Sequence, residues 1–471
     1  MIAIAFSLDP QAKEPLYEQI YQHFKSEIIC GSYSCTDKLP SKRELSSNLQ
    51  CSLNTVQAAY DQLIAEGYIT SKPKSGYYVS KLDGITILKK SSPISTEQAD
   101  FKTNFQYNFS HHGVDLDSFP FSVWRRITRS VIDEYDTELL KAGDSQGSVD
   151  LRSSIADYLH NSRGVNCVPA QIIVSSGIEF LLLLLMQIFS DDKVFAIENP
   201  GFEKLNLIFK SNGAAFRTIP LDEYGMIPEK LIESDADIAC VTPSHQFPTG
   251  VIMPISRRLQ FLNWANEKDG RYIIEDDYDS EFKYSGKPIP SIQGIDSKEK
   301  VIYIGAFSKS LTPAIRVSYM VLPECLVNVY KENLSFYICP VPVIEQKVLC
   351  RFMSDGHFER HLNKTRTIYK EKRETLVTAL HNLIPSVQIL GSNAGLHLTL
   401  QINNGMCEED LISSAQKNGV KAYGVSQFYF EEDLPCQQPT VLLGFAAMRK
   451  DEIVEAVKSL KNAWARESSI R

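Results

Sequence analysis

The sequence lacks the cysteine patterns of a disulfide-stapled or zinc-binding protein. Its ten cysteines are scattered along 471 residues, with no Cys-x-x-Cys pair and no Cys/His group at zinc-ligand spacing. Scattered cysteines of this kind are typical of ordinary thiols in a reducing compartment. The sequence therefore predicts no metal site.

A long hydrophobic run is also missing. The longest uninterrupted run, Phe180–Met186, is far shorter than the roughly 20 residues that a membrane-spanning helix needs. The apolar N-terminus reaches an acid at Asp9 and has no charged segment before it, which is unlike a signal peptide. We expect a cytoplasmic protein that makes no contact with a membrane.

An excess of positive charge is absent as well. The net charge is −8, and the first 80 residues contain seven basic and eight acidic side chains. This balance excludes a nonspecific polycation, so any nucleic-acid contact must come from a local surface. The 43% hydrophobic and 23% charged residues are typical of globular proteins, and the length predicts two or three domains.

Residues 14–80 have the pattern of a winged helix-turn-helix, and we assign residues 1–80 to this domain. Apolar residues recur at helical spacing from Leu16 to Ile28. Ser41 with Glu44 forms a capping box for a second helix, and Ser52 caps a third that ends at Gly67. Two short strands, 68–70 and 76–79, enclose a basic tip.

The candidate DNA contacts lie on three parts of this domain. The segments Leu39-Pro-Ser-Lys-Arg-Glu-Leu45, Glu66-Gly-Tyr-Ile69 and Gly76-Tyr-Tyr-Val79 resemble the GntR family of DNA-binding regulators. The candidates are a phosphate-binding group, the start of the recognition helix and the wing: Ser41, Lys42 and Arg43; Asn54, Thr55 and Gln57; Lys72, Lys74 and Gly76. Leu53 stands where the family usually has an arginine. A helix-turn-helix used only for protein contacts is the alternative.

The remainder of the chain predicts a linker and an α/β domain. Residues 81–106 are polar and without periodicity, which is typical of a linker. From residue 107 to 471, strand and helix patterns alternate as in a mainly parallel sheet wrapped by helices. We expect a large subdomain to about residue 340 and a small one over about 341–465.

Two segments of this domain have the residues that pyridoxal phosphate (PLP) chemistry uses. Ile302-Tyr-Ile-Gly-Ala-Phe-Ser-Lys-Ser310 is a strand followed by a turn that carries Lys309, and Tyr272-Ile-Ile-Glu-Asp-Asp-Tyr-Asp279 is a strand that ends in acids. An amine forms the Schiff base with the PLP aldehyde, and a carboxylate keeps the pyridine nitrogen protonated. The alternative is a surface lysine unrelated to an acid cluster.

The order of the two domains resembles the MocR/GabR branch of GntR regulators, in which a winged helix-turn-helix precedes a fold-type-I aminotransferase-like domain. The resemblance implies that Lys309 binds the aldehyde, with Asp276 facing the ring nitrogen and Tyr278 the ring oxygen. It further implies a phosphate site, one more cofactor contact, a stacking ring and effector contacts: Arg316, Gly177, Ile178 and Glu179; Ser308; Phe202; Lys204, His245 and Gln246. For His245 and Gln246 a loop-packing role is the alternative.

Several residues depart from that pattern. Ala142 and Ala306 replace hydroxyl residues that contact phosphate, and Glu179 adds a carboxylate at the phosphate site. Phe247 replaces the asparagine of the aminotransferase Asn-Pro-Thr-Gly loop, and Val441-Leu-Leu-Gly-Phe445 lacks the arginine that clamps a substrate carboxylate. These changes predict a weaker grip on phosphate and favour sensing over turnover.

The combined prediction is a PLP-dependent transcriptional regulator that senses an amine, an amino acid or PLP itself. The resemblance implies a head-to-tail homodimer that reads two half-sites of double-stranded DNA, and RNA polymerase is a further candidate partner. An active aminotransferase with an attached DNA-binding module is one alternative. A regulator with a vestigial PLP site is the other.

Overall fold

The computed structural model describes residues 6–12, 14–81, 105–189, 192–284, 290–384, 387–430 and 438–465. The chain divides into two compact units, residues 1–102 and 103–471. Most of the predicted linker, residues 81–106, lies outside the described residues. Within the described part of the chain, no helix is both long and apolar enough to span a membrane.

The first unit is a three-helix domain with a two-stranded wing. Its helices are α1 (Leu16–Ile29), α2 (Lys42–Asn48) and α3 (Leu53–Ala65), and its strands are β1 (Ile69–Lys72) and β2 (Gly76–Val79). The strands pair antiparallel. Apolar residues at helical spacing, such as Ile20, Phe24 and Tyr60, form its buried core. Ser41 and Ser52 cap α2 and α3, and the predicted capping box with Glu44 is present.

The second unit is built on an eight-stranded, mainly parallel sheet. Its strands are β4 (Ile172–Ser175), β5 (Phe195–Asn199), β6 (Phe216–Asp222), β7 (Gly225–Met226), β8 (Ile238–Val241), β9 (Tyr272–Asp277), β10 (Val301–Ala306) and β11 (Ser318–Val321). Their order across the sheet is β4-β11-β10-β9-β8-β5-β6-β7, with β11 and β7 antiparallel to their neighbours. Because β4, β5, β8, β9 and β10 run in one direction, their carboxyl ends meet at one edge.

Helices cover the sheet in the order that an α/β fold requires. They are α4 (Phe121–Asp133), α5 (Val149–Arg163), α6 (Ile178–Ile188), α7 (Glu203–Ser211), α8 (Pro228–Glu233), α9 (Ile255–Asn266), α10 (Glu324–Asn333), α11 (Val343–Ser354) and α12 (His357–Leu383). Strands β8 and β11, inside the sheet, and β4 at its edge are buried along their whole length. The predicted α/β architecture is therefore confirmed.

A second, four-stranded antiparallel sheet forms a smaller layer. It contains β12 (Val387–Leu390), β13 (His397–Ile402), β15 (Tyr423–Gly424) and β16 (Thr440–Gly444), and it packs with α13 (Glu408–Lys417) and α14 (Lys450–Trp464). Two short strands, β3 (Tyr107–Asn108) and β14 (Val420–Lys421), pair parallel beside it.

The predicted subdomain boundary near residue 341 differs from the packing. Val348 and Phe352 of α11, and Phe358 of α12, belong to the core of the large sheet, whereas Tyr369 and Leu376 of α12 belong to the small core. The single long helix α12 therefore passes from one core to the other. Its continuous helical periodicity hides the change of partner, which is why the sequence placed the boundary too early.

Candidate cofactor pocket and DNA-binding surface

The carboxyl ends of the parallel strands create a cavity in the second unit. In the parallel register Ile304 of β10 is opposite Asp276 of β9, and Lys309 follows β10 by three residues. Gly177 follows β4, and Phe202 follows β5. Chain segments far apart in sequence therefore meet at one place, as expected for ligand sites in such sheets.

The cavity has a volume of about 280 Å³, just below the usual range of about 300–1,000 Å³ for small-molecule pockets. The nine predicted cofactor residues all line it: Lys309, Asp276, Tyr278, Arg316, Gly177, Ile178, Glu179, Phe202 and Ser308. Of the predicted effector residues, Lys204 lines the cavity and His245 and Gln246 do not.

Lys309 presents an amine inside this cavity. Its Nζ donates to the backbone oxygen of His111 at 2.7 Å. Burial lowers the pKa of Lys309 to about 8, against the opposing effect of Asp279. A lysine with such a pKa is partly neutral near physiological pH, which is the form that attacks an aldehyde.

Asp276 presents a carboxyl that has no hydrogen-bond partner among the described residues. Burial raises the pKa of Asp276 to about 8, and the neighbouring carboxylates Asp277, Glu198 and Asp279 add to the effect. Such a group is costly to ionise unless a cation or a proton donor meets it. A protonated ring nitrogen is a group of that kind.

Tyr278 belongs to a buried network behind the cavity. Its hydroxyl lies 3.1 Å from Nδ1 of His245, which lies 3.0 Å from Oδ2 of Asp279. The ring of His397 is 4.7 Å from that of His245, and its Nε2 lies 3.1 Å from the oxygen of Pro248. His245 therefore helps to hold the hydroxyl of Tyr278 in place. The contact of that hydroxyl with a ring oxygen stays a prediction.

His245, Asp279 and His397 also place three potential metal-ligand atoms within 4.8 Å of one another. The sequence did not indicate this group, because its members lie 34 and 118 residues apart, far from the spacings of known metal motifs. His245 and Asp279 are hydrogen-bonded to each other and His397 to the oxygen of Pro248, so the three side chains have a structural role without an ion.

The far end of the cavity holds the predicted phosphate site. Gly177 has a φ of 92°, and a Cβ at this position would lie 2.1 Å from Nη2 of Arg316, so glycine is required for the guanidinium to approach. Arg316 donates to Oε2 of Glu179 at 2.9 Å, and Lys204 Nζ lies 3.6 Å from Oε1 of the same carboxylate. Ala306 lines the cavity without offering a hydroxyl, and Ala142 does not line it.

Gln246 is held by the loop in which it lies. Its Nε2 donates to Glu198 at 3.2 Å and to the oxygen of Pro200 at 3.0 Å, while its Oε1 accepts from Thr249. These contacts match the loop-packing alternative rather than a contact with a ligand in the cavity.

Sequence reasoning missed several lining residues, above all His111, His112, Asp279 and His397. Burial lowers the pKa of His111 to about 3 and that of His112 to about 4, so both rings are neutral. The histidines follow β3 and reach the cavity only because β3 pairs with β14. The pair His111-His112 was visible in the sequence, but nothing local linked it to Lys309.

The first unit presents its candidate DNA contacts on exposed surfaces. Asn54 is exposed at the start of α3, and Leu53 beside it is 45% exposed. The hydroxyl of Thr55 lies 2.8 Å from that of Ser52, which caps α3, and the side chain of Gln57 contacts Lys42. An exposed helix start in a winged helix-turn-helix is the part that reaches base edges.

The remaining candidates lie on α2 and the wing. Arg43 is exposed, and Ser41 accepts from the backbone N–H of Glu44, so its hydroxyl proton remains available to a phosphate. Lys72 Nζ lies 4.7 Å from the ring centre of Tyr78, and Lys74 stands at the exposed tip with a φ of 61°. The nine predicted contacts therefore all lie on the helix-turn-helix of the first unit and its wing.

Comparison with known proteins identifies both units. Residues 16–79 match the gntR family of bacterial regulatory proteins, and residues 116–460 match aminotransferase class I and II. The chain is 41% identical to the uncharacterised HTH-type transcriptional regulator YdeL of Bacillus subtilis, over 96% of this chain and 97% of YdeL. It is 31% identical to the probable rhizopine catabolism regulatory protein MocR of Rhizobium meliloti, over 98% and 96%.

The solved structures agree on the fold of the second unit. The kynurenine aminotransferase of Pyrococcus horikoshii superposes with a TM-score of 0.69 at 26% identity, covering 77% of this chain and 91% of that one. The two units together define a class, the DNA-binding regulators with an aminotransferase-like domain. The chain belongs to the MocR-type transcriptional regulators of the GntR family. It binds DNA through its first unit, and its cofactor is PLP.

The residues of the cavity fit PLP at the ring end. The lowered pKa of Lys309 suits attachment to an aldehyde, and the unpartnered carboxyl of Asp276 suits a protonated pyridine nitrogen. When bound, PLP supplies an electron sink for chemistry at an amine. At the phosphate end the fit is contested, because Glu179 already engages Arg316 and Lys204.

Proposed function

We propose that this regulator changes its DNA binding when an amine, an amino acid or PLP itself occupies the cavity of the second unit. The observation that carries the proposal is the half-buried Lys309 amine, which lines a cavity of about 280 Å³ together with Asp276 and Tyr278. Coupling to DNA requires that the ligand bind two arrangements of the protein with different free energies.

The pairing of the lysines and arginines that line the cavity favours sensing over turnover. Lys309, Lys204 and Arg316 are the lysines and arginines among its described lining residues, and the last two both face Glu179. No unpaired arginine fork therefore stands ready for a substrate carboxylate. The described strand β16, where aminotransferases carry that arginine, has none. Without such a fork an amino acid is held poorly for repeated turnover.

The assembly belongs to the same proposal. Fold-type-I proteins complete their sites at a subunit interface, so a head-to-tail homodimer that reads two DNA half-sites is the arrangement we propose. RNA polymerase is the proposed further partner on the promoter. A cytoplasmic location is part of the proposal, and the DNA-binding unit supports it.

The test is a titration of the purified full chain with PLP, followed by absorbance in the visible range. We expect a PLP-dependent band that is lost in Lys309→Ala and kept in Lys331→Ala, an exposed lysine on α10. Amines and amino acids are then added, and one of them should change the band and hold the change. The lack of any band with excess PLP would contradict the proposal and favour a vestigial site.

DNA binding is tested on the same samples. The immobilised full chain selects from a pool of random DNA duplexes, and the enriched sequences are bound again with and without PLP and each compound. The regulator proposal expects an affinity that the ligand changes in the wild type but not in Lys309→Ala. Release of a keto acid over many turnovers would instead support the active aminotransferase.

A further inference from the structure

The carboxylate of Glu179 lies at the predicted phosphate site, beside Arg316 and Lys204. Glu179 is the second residue of α6, two positions after Gly177, which precedes the helix. A Cβ on Gly177 would collide with Oε2 of Glu179 and with Nη2 of Arg316. Backbone N–H groups at a helix start favour an anion. In this chain the anion nearest to that cradle is a side chain of the protein itself.

Both oxygens of this carboxylate are engaged by the cations that line the cavity end. Oε2 accepts from Arg316 at 2.9 Å, and Oε1 lies 3.6 Å from Nζ of Lys204. The guanidinium of Arg316 also lies 3.4 Å from the backbone oxygen of Ser176. A phosphate that enters must therefore either displace Glu179 from Arg316 or share the guanidinium with it.

The charge of Glu179 is retained at neutral pH. Partial burial acts to raise the pKa of Glu179, but its own backbone N–H, Arg316 and Lys204 outweigh that effect, so the pKa lies below its ordinary value. The side chain is 32% exposed, and those of Arg316 and Lys204 are 50% and 54% exposed. The contacts are thus open to solvent and exchangeable rather than locked in a dry core.

We propose that Glu179 is a tethered competitor of the ligand's phosphate, so that the pocket discriminates weakly between a phosphorylated and an unphosphorylated pyridoxal. The inference rests on the proposed function, because it concerns the same cavity. The ring-end contacts, Lys309 and Asp276, are shared by PLP and pyridoxal. Only the phosphate distinguishes the two ligands, and only the phosphate meets Glu179.

The consequence for a sensor is an exchangeable cofactor. Because the protein itself opposes the phosphate contact, half-occupancy of the site falls at a higher ligand concentration than it would without the Glu179 charge. The same competition loosens the phosphate contact without removing Arg316, which stays positioned by Glu179 while the ligand is absent.

The experiment compares the dissociation constants of PLP and of pyridoxal for the full-length wild type and Glu179→Gln, measured by equilibrium dialysis. Glutamine keeps the shape and removes the charge, and partial exposure of the site favours normal folding. We expect Glu179→Gln to bind PLP about three- to tenfold more tightly, the size of one screened charge pair, and to bind pyridoxal as the wild type does. Glu203→Gln is the control, because Glu203 lies exposed in the first turn of neighbouring α7.

Four results would overturn the inference. Unchanged PLP affinity would mean that Glu179 does not oppose phosphate, and weaker PLP binding would mean that it helps by orienting Arg316. An equal gain for both ligands, or the same gain in Glu203→Gln, would assign the effect to something other than the phosphate. If neither the wild type nor Glu179→Gln bound PLP or pyridoxal, the proposed function would fail first, and this inference with it.

Discussion

The two compact units build their functional groups in opposite ways. In the first unit the key contacts join residues close in sequence, as in Ser52 with Thr55, and the groups remain exposed. In the second unit Lys309 contacts the backbone of His111 from 198 residues away, inside a cavity. The DNA surface is thus a property of local sequence, whereas the cavity is a property of topology.

The same contrast holds for charge. Lys25 and Glu66 of the first unit form a pair at 3.2 Å whose side chains are 29% and 31% exposed. Arg163 and Asp277 of the second unit form a pair at 2.7 Å whose side chains are 5% and 1% exposed. Exposed pairs contribute little to stability, but breaking a buried pair leaves a charge without solvent or partner. The predictions below test this difference.

The largest effect is expected for Asp277→Asn. Asp277 also accepts from the hydroxyl of Tyr303, so the change weakens two buried contacts and removes the carboxylate charge beside the guanidinium of Arg163. We expect the free energy of unfolding of the second unit to fall by about 3–5 kcal/mol. All three tryptophans, Trp124, Trp264 and Trp464, lie in this unit, so urea unfolding followed by tryptophan fluorescence reads it selectively.

The matched control is Asp235→Asn, which removes the anion of an exposed pair in the second unit, Arg217 with Asp235, whose side chains are 50% and 58% exposed. It should leave the fluorescence transition almost unchanged, because an exposed pair contributes little to stability. If Asp277→Asn lowered the free energy of unfolding no more than a substitution on the surface does, the buried pair would not be important for the stability of the second unit.

A smaller effect of opposite sign is expected one residue earlier, for Asp276→Asn. The pKa of Asp276 is raised from 3.8 to about 8, so the folded protein binds its proton more tightly than the unfolded chain. Ionisation of this carboxyl therefore destabilises the fold increasingly as the pH rises from about 4 to about 8. We expect Asp276→Asn to stabilise the PLP-free protein by about 1 kcal/mol or more at about pH 9, and by less at about pH 5.

The same variant should bind PLP more weakly, since the carboxyl is the proposed partner of the ring nitrogen. Stability is read by tryptophan fluorescence in urea at the two pH values, and PLP affinity by equilibrium dialysis. If Asp276→Asn were less stable than the wild type at alkaline pH, ionised Asp276 would not destabilise the PLP-free fold. We therefore expect Asp276→Asn to be more stable than the wild type and to bind PLP more weakly, because a group that serves ligand binding can cost folding stability.

How much the sequence could predict follows from the same difference between the units. The caps at Ser41 and Ser52, the three helices and the wing follow from residues a few positions apart, and these predictions were confirmed. The strand ends at Asp276 and Lys309 were also found, because an apolar strand followed by polar residues is a local signal. Their convergence on one edge then followed from the parallel order of the sheet.

The remaining features depend on contacts that no local pattern contains. His111 and His397 enter the cavity from strands outside the large sheet, and the buried network of His245 and Asp279 spans 34 residues. The sequence showed that Glu179 is an unusual carboxylate at this site, but it did not show that both carboxylate oxygens face cations. Such pairings are set by tertiary packing, so they could be recognised only in the folded chain.

The smallest effect is expected for Leu53→Arg, which tests whether the DNA surface is as local as proposed. Leu53 is the first residue of α3 and is 45% exposed, next to Asn54. An arginine there adds a cation where a phosphate would lie, so we expect DNA affinity to rise a few-fold and the salt dependence of log affinity to steepen by about 1. Both are measured on the selected duplexes at several salt concentrations.

The control is Ile232→Arg, which adds the same charge at a 54% exposed site of α8 in the second unit, outside the helix-turn-helix. Equal effects of the two variants would reflect net charge alone, and unchanged affinity and slope in Leu53→Arg would mean that the start of α3 does not approach a phosphate.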